Sequence, residues 1–251
     1  MIHQITFSPT GGTKRVGQLL CQNLGTDVQA IELCVPESKL TIPSIKADDL
    51  VVIAMPVFAG RIPALAAERL KKVSADGAKC VVVAVYGNRA YDDALLEMKD
   101  LATEMGFRVV AAIGAVAEHS IVRKYGAERP DADDKAVLRQ YADRILKKIA
   151  SGNETSPFVP GNRPYKRPMK SPVPNVNHKC NACGICAKNC PSGAISLENP
   201  KQMDKNKCIS CMKCVAVCPT KSRDIGKIMK FMIGLALKKP CAARKENELY
   251  L

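Results

Sequence analysis

Residues 51–57 read VVIAMPV and residues 80–85 read CVVVAV. Each run is apolar on both faces. A strand with one wet face alternates, whereas continuous burial marks a strand inside a parallel sheet covered by helices on both sides. Working outward, apolar and β-branched runs occupy 2–7, 28–33, 50–55, 79–85 and 108–116, and helical periodicity occupies 13–24, 62–73, 91–105 and 133–150. Such alternation predicts a doubly wound α/β domain over residues 1–150. Five strands suit a parallel sheet of order 2-1-3-4-5.

The remainder of the 251 residues is a different kind of chain. Residues 1–150 carry 20 Lys and Arg against 18 Asp and Glu, a balance of +2, whereas residues 151–251 carry 18 against 6, a balance of +12. A hydrophobic content of 47% excludes global disorder. No stretch is long and apolar enough for a membrane span, and MIHQITFSPTGG lacks the basic and apolar regions of an export signal. The expected compartment is the reducing cytoplasm, where structural disulfides are rare. The twelve cysteines then need another explanation, and eight of them fall between Cys180 and Cys218. His3, His119 and His178 have no ligand pattern and read as structural, as do Cys21, Cys34 and Cys80; Cys241 has no assigned role.

Between these halves stand Pro157, Pro160, Pro164, Pro168, Pro172 and Pro174. Proline stops helices and ladders alike, so residues 151–175 are expected to form an extended strap lying on the first domain, with Phe158 and Tyr165 as anchors. Residues 176–224 form the expected cysteine-rich domain. In 225–251 the run IMKFMIGLAL, flanked by lysines, predicts a helix packed on the protein, with a membrane-surface helix as the alternative.

The cysteines repeat: CNACGICAKNCP (180–191) is followed by CISCMKCVAVCP (208–219). Each is a C-x2-C-x2-C-x3-C-P run, the spacing that supplies thiolates to [4Fe–4S] clusters. Zinc ribbons take four ligands from two C-x2-C pairs and have no use for a third cysteine or the proline. The runs, with PSGAI after the first, resemble bacterial 2[4Fe–4S] ferredoxins; PTKS after Cys218 departs from that pattern. The resemblance implies a small α+β ferredoxin domain in which the fourth cysteine of each run serves the other cluster. One set would be Cys180, Cys183, Cys186 and Cys218; the other Cys208, Cys211, Cys214 and Cys190.

FSPTGGTKR (7–15) joins the first strand to the first helix. Ser8, Thr10 and Thr13 offer hydroxyls, Gly11 and Gly12 allow close approach of the backbone, and the helix N-terminus favours an anion. Neither a nucleoside-triphosphate P-loop nor the G-x-G-x-x-G fingerprint is present. At this position the loop resembles the FMN-phosphate loop of flavodoxins, so the first domain is expected to be flavodoxin-like. That resemblance implies flavin contacts after strands three and four, from Pro56, Val57, Phe58, Ala59 and Gly60, and from Tyr86, Gly87, Asn88, Arg89 and Tyr91. Tyr91 would stack on the ring and the Asn88 amide would meet its edge. Arg61 and Arg89 read equally as surface charges or as partners of the flavin pyrimidine.

Together the two halves resemble flavodoxin–ferredoxin fusion proteins, found mainly in anaerobes. The resemblance implies FMN, two [4Fe–4S] clusters and an electron relay within one chain. An alternative is an FMN-dependent reductase of a small acceptor. No nicotinamide site is visible, so redox partner proteins, acidic in view of the basic half, are the expected source of electrons. Nucleic acid is not expected, for no nucleic-acid fold motif accompanies the charge.

Overall fold

The computed structural model describes residues 1–167, 169 and 171–251, and Pro168 of the strap lies outside the described residues. The first domain contains β1 (Ile2–Thr6), α1 (Gly12–Leu24), β2 (Val28–Glu32), β3 (Leu50–Pro56), α2 (Ala64–Leu70), β4 (Lys79–Tyr86), α3 (Ala94–Glu104), β5 (Arg108–Val116) and α4 (Ala132–Ala150). Its sheet runs β2-β1-β3-β4-β5, all parallel. This is the flavodoxin-like doubly wound order.

The strands that decided the prediction feed two cores at once. Val51, Ile53 and Met55 of β3 pack on one face with Val82 and Ala84 of β4 and with Leu95 and Met98 of α3. Val52, Ala54, Val81 and Val83 point the other way, to Val16 and Leu20 of α1 and Leu138 and Ile145 of α4. Successive side chains of a strand alternate faces, so an unbroken apolar run is what two covered faces require.

The second domain contains β6 (Asn175–Val176), α5 (Ile185–Lys188), α6 (Lys213–Ala216) and β7 (Arg223–Asp224), with β6 and β7 antiparallel. Its apolar core is small: Ala187, Ala194 and Ile195 around Cys186, Cys190 and Cys214. Two segments follow. α7 (Lys227–Lys238) lies over the carboxyl end of the first sheet, and β8 (Glu248–Tyr250) pairs antiparallel with β5. The sequence pattern held no sign of β8: three residues carry no periodicity, and the free edge of β5 supplies the hydrogen bonds that make ELY a strand.

The strap is bound to the first domain, with Tyr165 as an anchor as expected and Phe158 not. Phe158 is 88% exposed, whereas Val159 is buried in the first core. Asp93 accepts from the Asn162 N–H (2.9 Å) and the Lys166 N–H (2.6 Å), and Arg163 pairs with Asp100. The Tyr165 hydroxyl donates to Asp100, and the Arg61 guanidinium lies 4.7 Å from the Tyr165 ring centroid. Arg61 also pairs with Glu97 at 2.7 Å, so its charge is engaged at the strap.

Candidate functional site

The carboxyl ends of β1, β3, β4 and β5 open into a cavity of about 530 Å³. This is the crevice where doubly wound sheets bind ligands, within the size range of cofactor pockets. Its floor is Pro9, Thr10, Gly12 and Thr13 of the first loop, and its walls are 56–60 and Val85, Tyr86, Gly87 and Arg89. Gly87 is needed there: a Cβ would stand 2.6 Å from the His119 ring.

The loop is built to receive an anion. Gly11 caps α1 at φ 94°, and the first turn of α1 has no acidic residue. Ser8 does not face the cavity; its hydroxyl accepts the Lys14 N–H at 2.9 Å and braces the loop. The Gly12 and Thr13 N–H groups have no protein acceptor among the described residues. Gly11 faces an adjoining cleft toward the second domain.

Two further expected contacts are corrected. Tyr91 lies outside the cavity, edge-on to Tyr86 with ring centroids 5.4 Å apart, and its hydroxyl meets Glu248 and the Tyr250 hydroxyl. Asn88 is also turned away: its amide donates to the Cys241 and Ala243 carbonyls and its oxygen accepts the Lys245 N–H at 3.0 Å. The carboxy-terminal segment takes both side chains, and that capture depends on long-range packing that no local motif records. Arg89 does line the cavity and pairs with Asp92.

The sequence reading also missed one wall. Ala117, Glu118, His119, Ser120 and Ile121, after β5, line the cavity. His119 Nδ1 accepts the Ile121 and Val122 N–H groups, each at 3.1 Å. Burial and the nearby Arg89 charge lower its pKa, which favours the neutral imidazole. The signal was its place beyond the carboxyl end of a strand. Met169, Ser171 and Pro172 of the strap, with Ile233, Ala236, Leu237 and Pro240, roof the cavity. Phe231 and Leu235 of α7 face outward, at 63% and 52% exposed.

In the second domain the cysteines ring two hollows. Cys180, Cys183, Cys186 and Cys218 line one, and Cys190, Cys208, Cys211 and Cys214 line the other. Each hollow takes three cysteines of one repeat and the fourth of the other. In each hollow the four sulfurs stand around a volume rather than converge on one point. Burial pushes the Cys211 and Cys214 thiols up to about 12. Burial acts the same way on Cys218, but the Ser222 and Thr220 hydroxyls and the Arg223 and Ser222 N–H groups overcome it and bring that thiol down to about 6. Arg223 was not singled out by sequence. It is 3% exposed, its Nε has no partner among the described residues, and it lines the first hollow.

Residues 179–222 match the family of 4Fe-4S dicluster domains. A stretch of the chain is 37% identical to trichloroethene reductive dehalogenase of Dehalococcoides mccartyi, covering 21% of this chain and 12% of that one. Another match is a component of the ion-translocating oxidoreductase complex of Methanosarcina acetivorans, 43% identical over 18% of each chain. The chain thus spans less than a fifth of either relative. Structural likeness extends to a flavodoxin from the domain Archaea, with a TM-score of 0.44 and 16% identity over 60% of this chain and 99% of that one. For the flavodoxin of Megasphaera elsdenii the TM-score is 0.40, with 15% identity over 57% and 99%. At these scores the strand order, and not the likeness, defines the fold. The chain joins a flavodoxin-like α/β domain to a 4Fe-4S dicluster domain, a pairing that supports iron–sulfur and flavin binding and an electron-transfer role. Among the described residues no helix is long and apolar enough to cross a membrane.

Proposed function

We propose that this chain is an electron carrier that holds FMN in the sheet-end cavity and a [4Fe–4S] cluster in each cysteine hollow, and relays electrons between them. When bound, the clusters supply one-electron transfer and the flavin one- or two-electron transfer. The observation that carries the reading is a shared wall. Phe58 lines the sheet-end cavity, and it also lines an adjoining cavity together with Cys208. That adjoining cavity lies between the candidate flavin site and the inner hollow of Cys190, Cys208, Cys211 and Cys214, with which it shares Cys208 and Ile209.

Three contacts fix that approach. Arg69, 2% exposed, donates to the Pro191 carbonyl at 2.7 Å, next to Cys190. Lys213, beside Cys214, donates to the Cys34 carbonyl at 3.0 Å. Ile209 packs against the core of the first domain. These residues hold the inner hollow in place, while Met169, Ser171 and Pro172 of the strap and Leu237 line one side of the cavity.

The test is composition after anaerobic purification: about eight iron atoms, from two four-iron clusters, and one FMN per chain. Stoichiometric zinc with little iron, or FAD in place of FMN, would overturn the assignment. The partners proposed for exchange are acidic redox proteins, matched to the +12 balance of residues 151–251.

A further inference from the structure

The outward face of α7 is an anomaly on this surface. Ile228 (82% exposed), Met229, Phe231 (63%), Met232 and Leu235 all point to solvent from one twelve-residue helix. At 3.6 residues per turn they sweep an arc of about 160°. Large contiguous apolar patches on a soluble surface mark interaction sites. The helix, KIMKFMIGLALK, contains no acidic residue. Lys227, Lys238 and Lys239 at its ends are exposed, whereas Lys230 is paired with Asp224 at 2.6 Å. The opposite side is already engaged: Ile233 and Leu237 roof the cavity, and the Tyr125 hydroxyl donates to the Gly234 carbonyl at 2.9 Å.

We propose that α7 is an interfacial helix that docks this protein onto an anionic lipid bilayer. A broad apolar face with lysines at its ends is the composition of a helix that lies in the headgroup region. The lysine stems can run along the apolar surface and carry their ammonium groups to the lipid phosphates. The net charge of +14 adds long-range attraction to the same surface. Two other occupants fit less well. A protein groove would have to embrace the helix, and its inner side is taken. A second copy would bring Lys227, Lys238 and Lys239 of both chains together, like charges in contact.

The test is flotation of the loaded, full-length protein with vesicles of phosphatidylcholine alone or mixed with phosphatidylglycerol. The protein should float with the mixed vesicles only, and less so in high salt. Phe231→Glu with Leu235→Glu should abolish flotation while the flavin and cluster spectra stay unchanged. Replacing Lys227, Lys238 and Lys239 by Gln should weaken it about a hundredfold, from roughly fivefold per lysine. No flotation, or equal flotation with both vesicle types, overturns the proposal. So does a dimer in sedimentation velocity that the double variant dissociates, because the face then belongs to a second copy.

Discussion

The two cysteine hollows are built from the same twelve-residue pattern, yet they differ in three ways. The outer one, of Cys180, Cys183, Cys186 and Cys218, has an exposed member, Cys183, whereas every cysteine of the inner one is at least half-buried. Around Cys218 Sγ stand the Ser222 N–H at 3.2 Å, the Ser222 hydroxyl at 3.5 Å and the Thr220 hydroxyl at 3.6 Å. At the inner hollow the contacts are spread over three sulfurs, from Ser210 to Cys208, from the Lys213 N–H to Cys211 and between Ser192 and Cys190, and apolar Ile195, Met203 and Ile209 line the rest. Finally, Gly184 and Met212 occupy equivalent places in the repeats with φ 75° and 64°. At that angle an L side chain costs about 1–2 kcal/mol that glycine avoids, and Met212 is buried beside the inner hollow. The two copies of one motif thus differ in environment: a wetter hollow with an exposed cysteine, and a drier one on the side of the sheet-end cavity. Hydrogen bonds to sulfur and solvent exposure both bear on cluster potential, so the outer cluster should have the higher potential.

The largest effect tests which cysteines belong together. Cys190→Ser should perturb the cluster held by Cys208, Cys211 and Cys214, with loss of up to about four iron atoms per chain. Iron analysis and electron paramagnetic resonance check this. Damage confined to the set of Cys180, Cys183 and Cys186 would contradict the crossed grouping.

Next is the strap that lines the sheet-end cavity. Asp93 is 3% exposed, and Asp93→Asn should cost about 2 kcal/mol, the scale of hydrogen bonds to a charged group. The Lys166 N–H, working against burial, and the Asn162 N–H and amide hold the Asp93 pKa below its usual value. A depressed folded pKa adds stability that is fully present above the unfolded value near 4 and lost as pH falls through the folded one. The gap in melting temperature between wild type and variant should therefore shrink below about pH 4. A gap unchanged into acid would contradict the role of the ionised carboxylate.

Arg223 addresses both hollows. Its charge also bears on Cys208 and Cys214, which are not in its own hollow. Arg223→Met should lower both potentials, the outer one more, by on the order of 60 mV, about tenfold in a one-electron equilibrium. Smallest is Ser222→Ala, which should lower the outer potential alone by about 30 mV, roughly threefold. Redox titration resolves both, and an equal shift of the two clusters in Ser222→Ala would break the comparison.

Much of this was legible in sequence for physical reasons. Parallel strands buried on both faces must be apolar throughout, so VVIAMPV and CVVVAV declared the sheet. Thiolate ligands must recur at fixed spacing, so the two cysteine runs declared the hollows. What stayed hidden depends on packing between distant segments. Tyr91 and Asn88 follow a flavin-loop pattern, yet the carboxy-terminal segment, which includes β8, claims both. Phe158 and Val159 are neighbours of equal promise, and only the path of the strap decides which is buried. The cavity wall at His119 carries no motif, because its position follows from the strand order.

The central claim is that the inner hollow and the sheet-end cavity exchange electrons within one chain. The direct measurement is rapid mixing of the fully reduced, FMN- and cluster-loaded protein with an acceptor, over a range of protein concentrations. The seat formed by Arg69, Lys213 and Ile209 predicts that flavin and cluster absorbance recover together at a rate independent of protein concentration. A rate of exchange between flavin and clusters that rises with protein concentration would contradict it, leaving two carriers on one polypeptide.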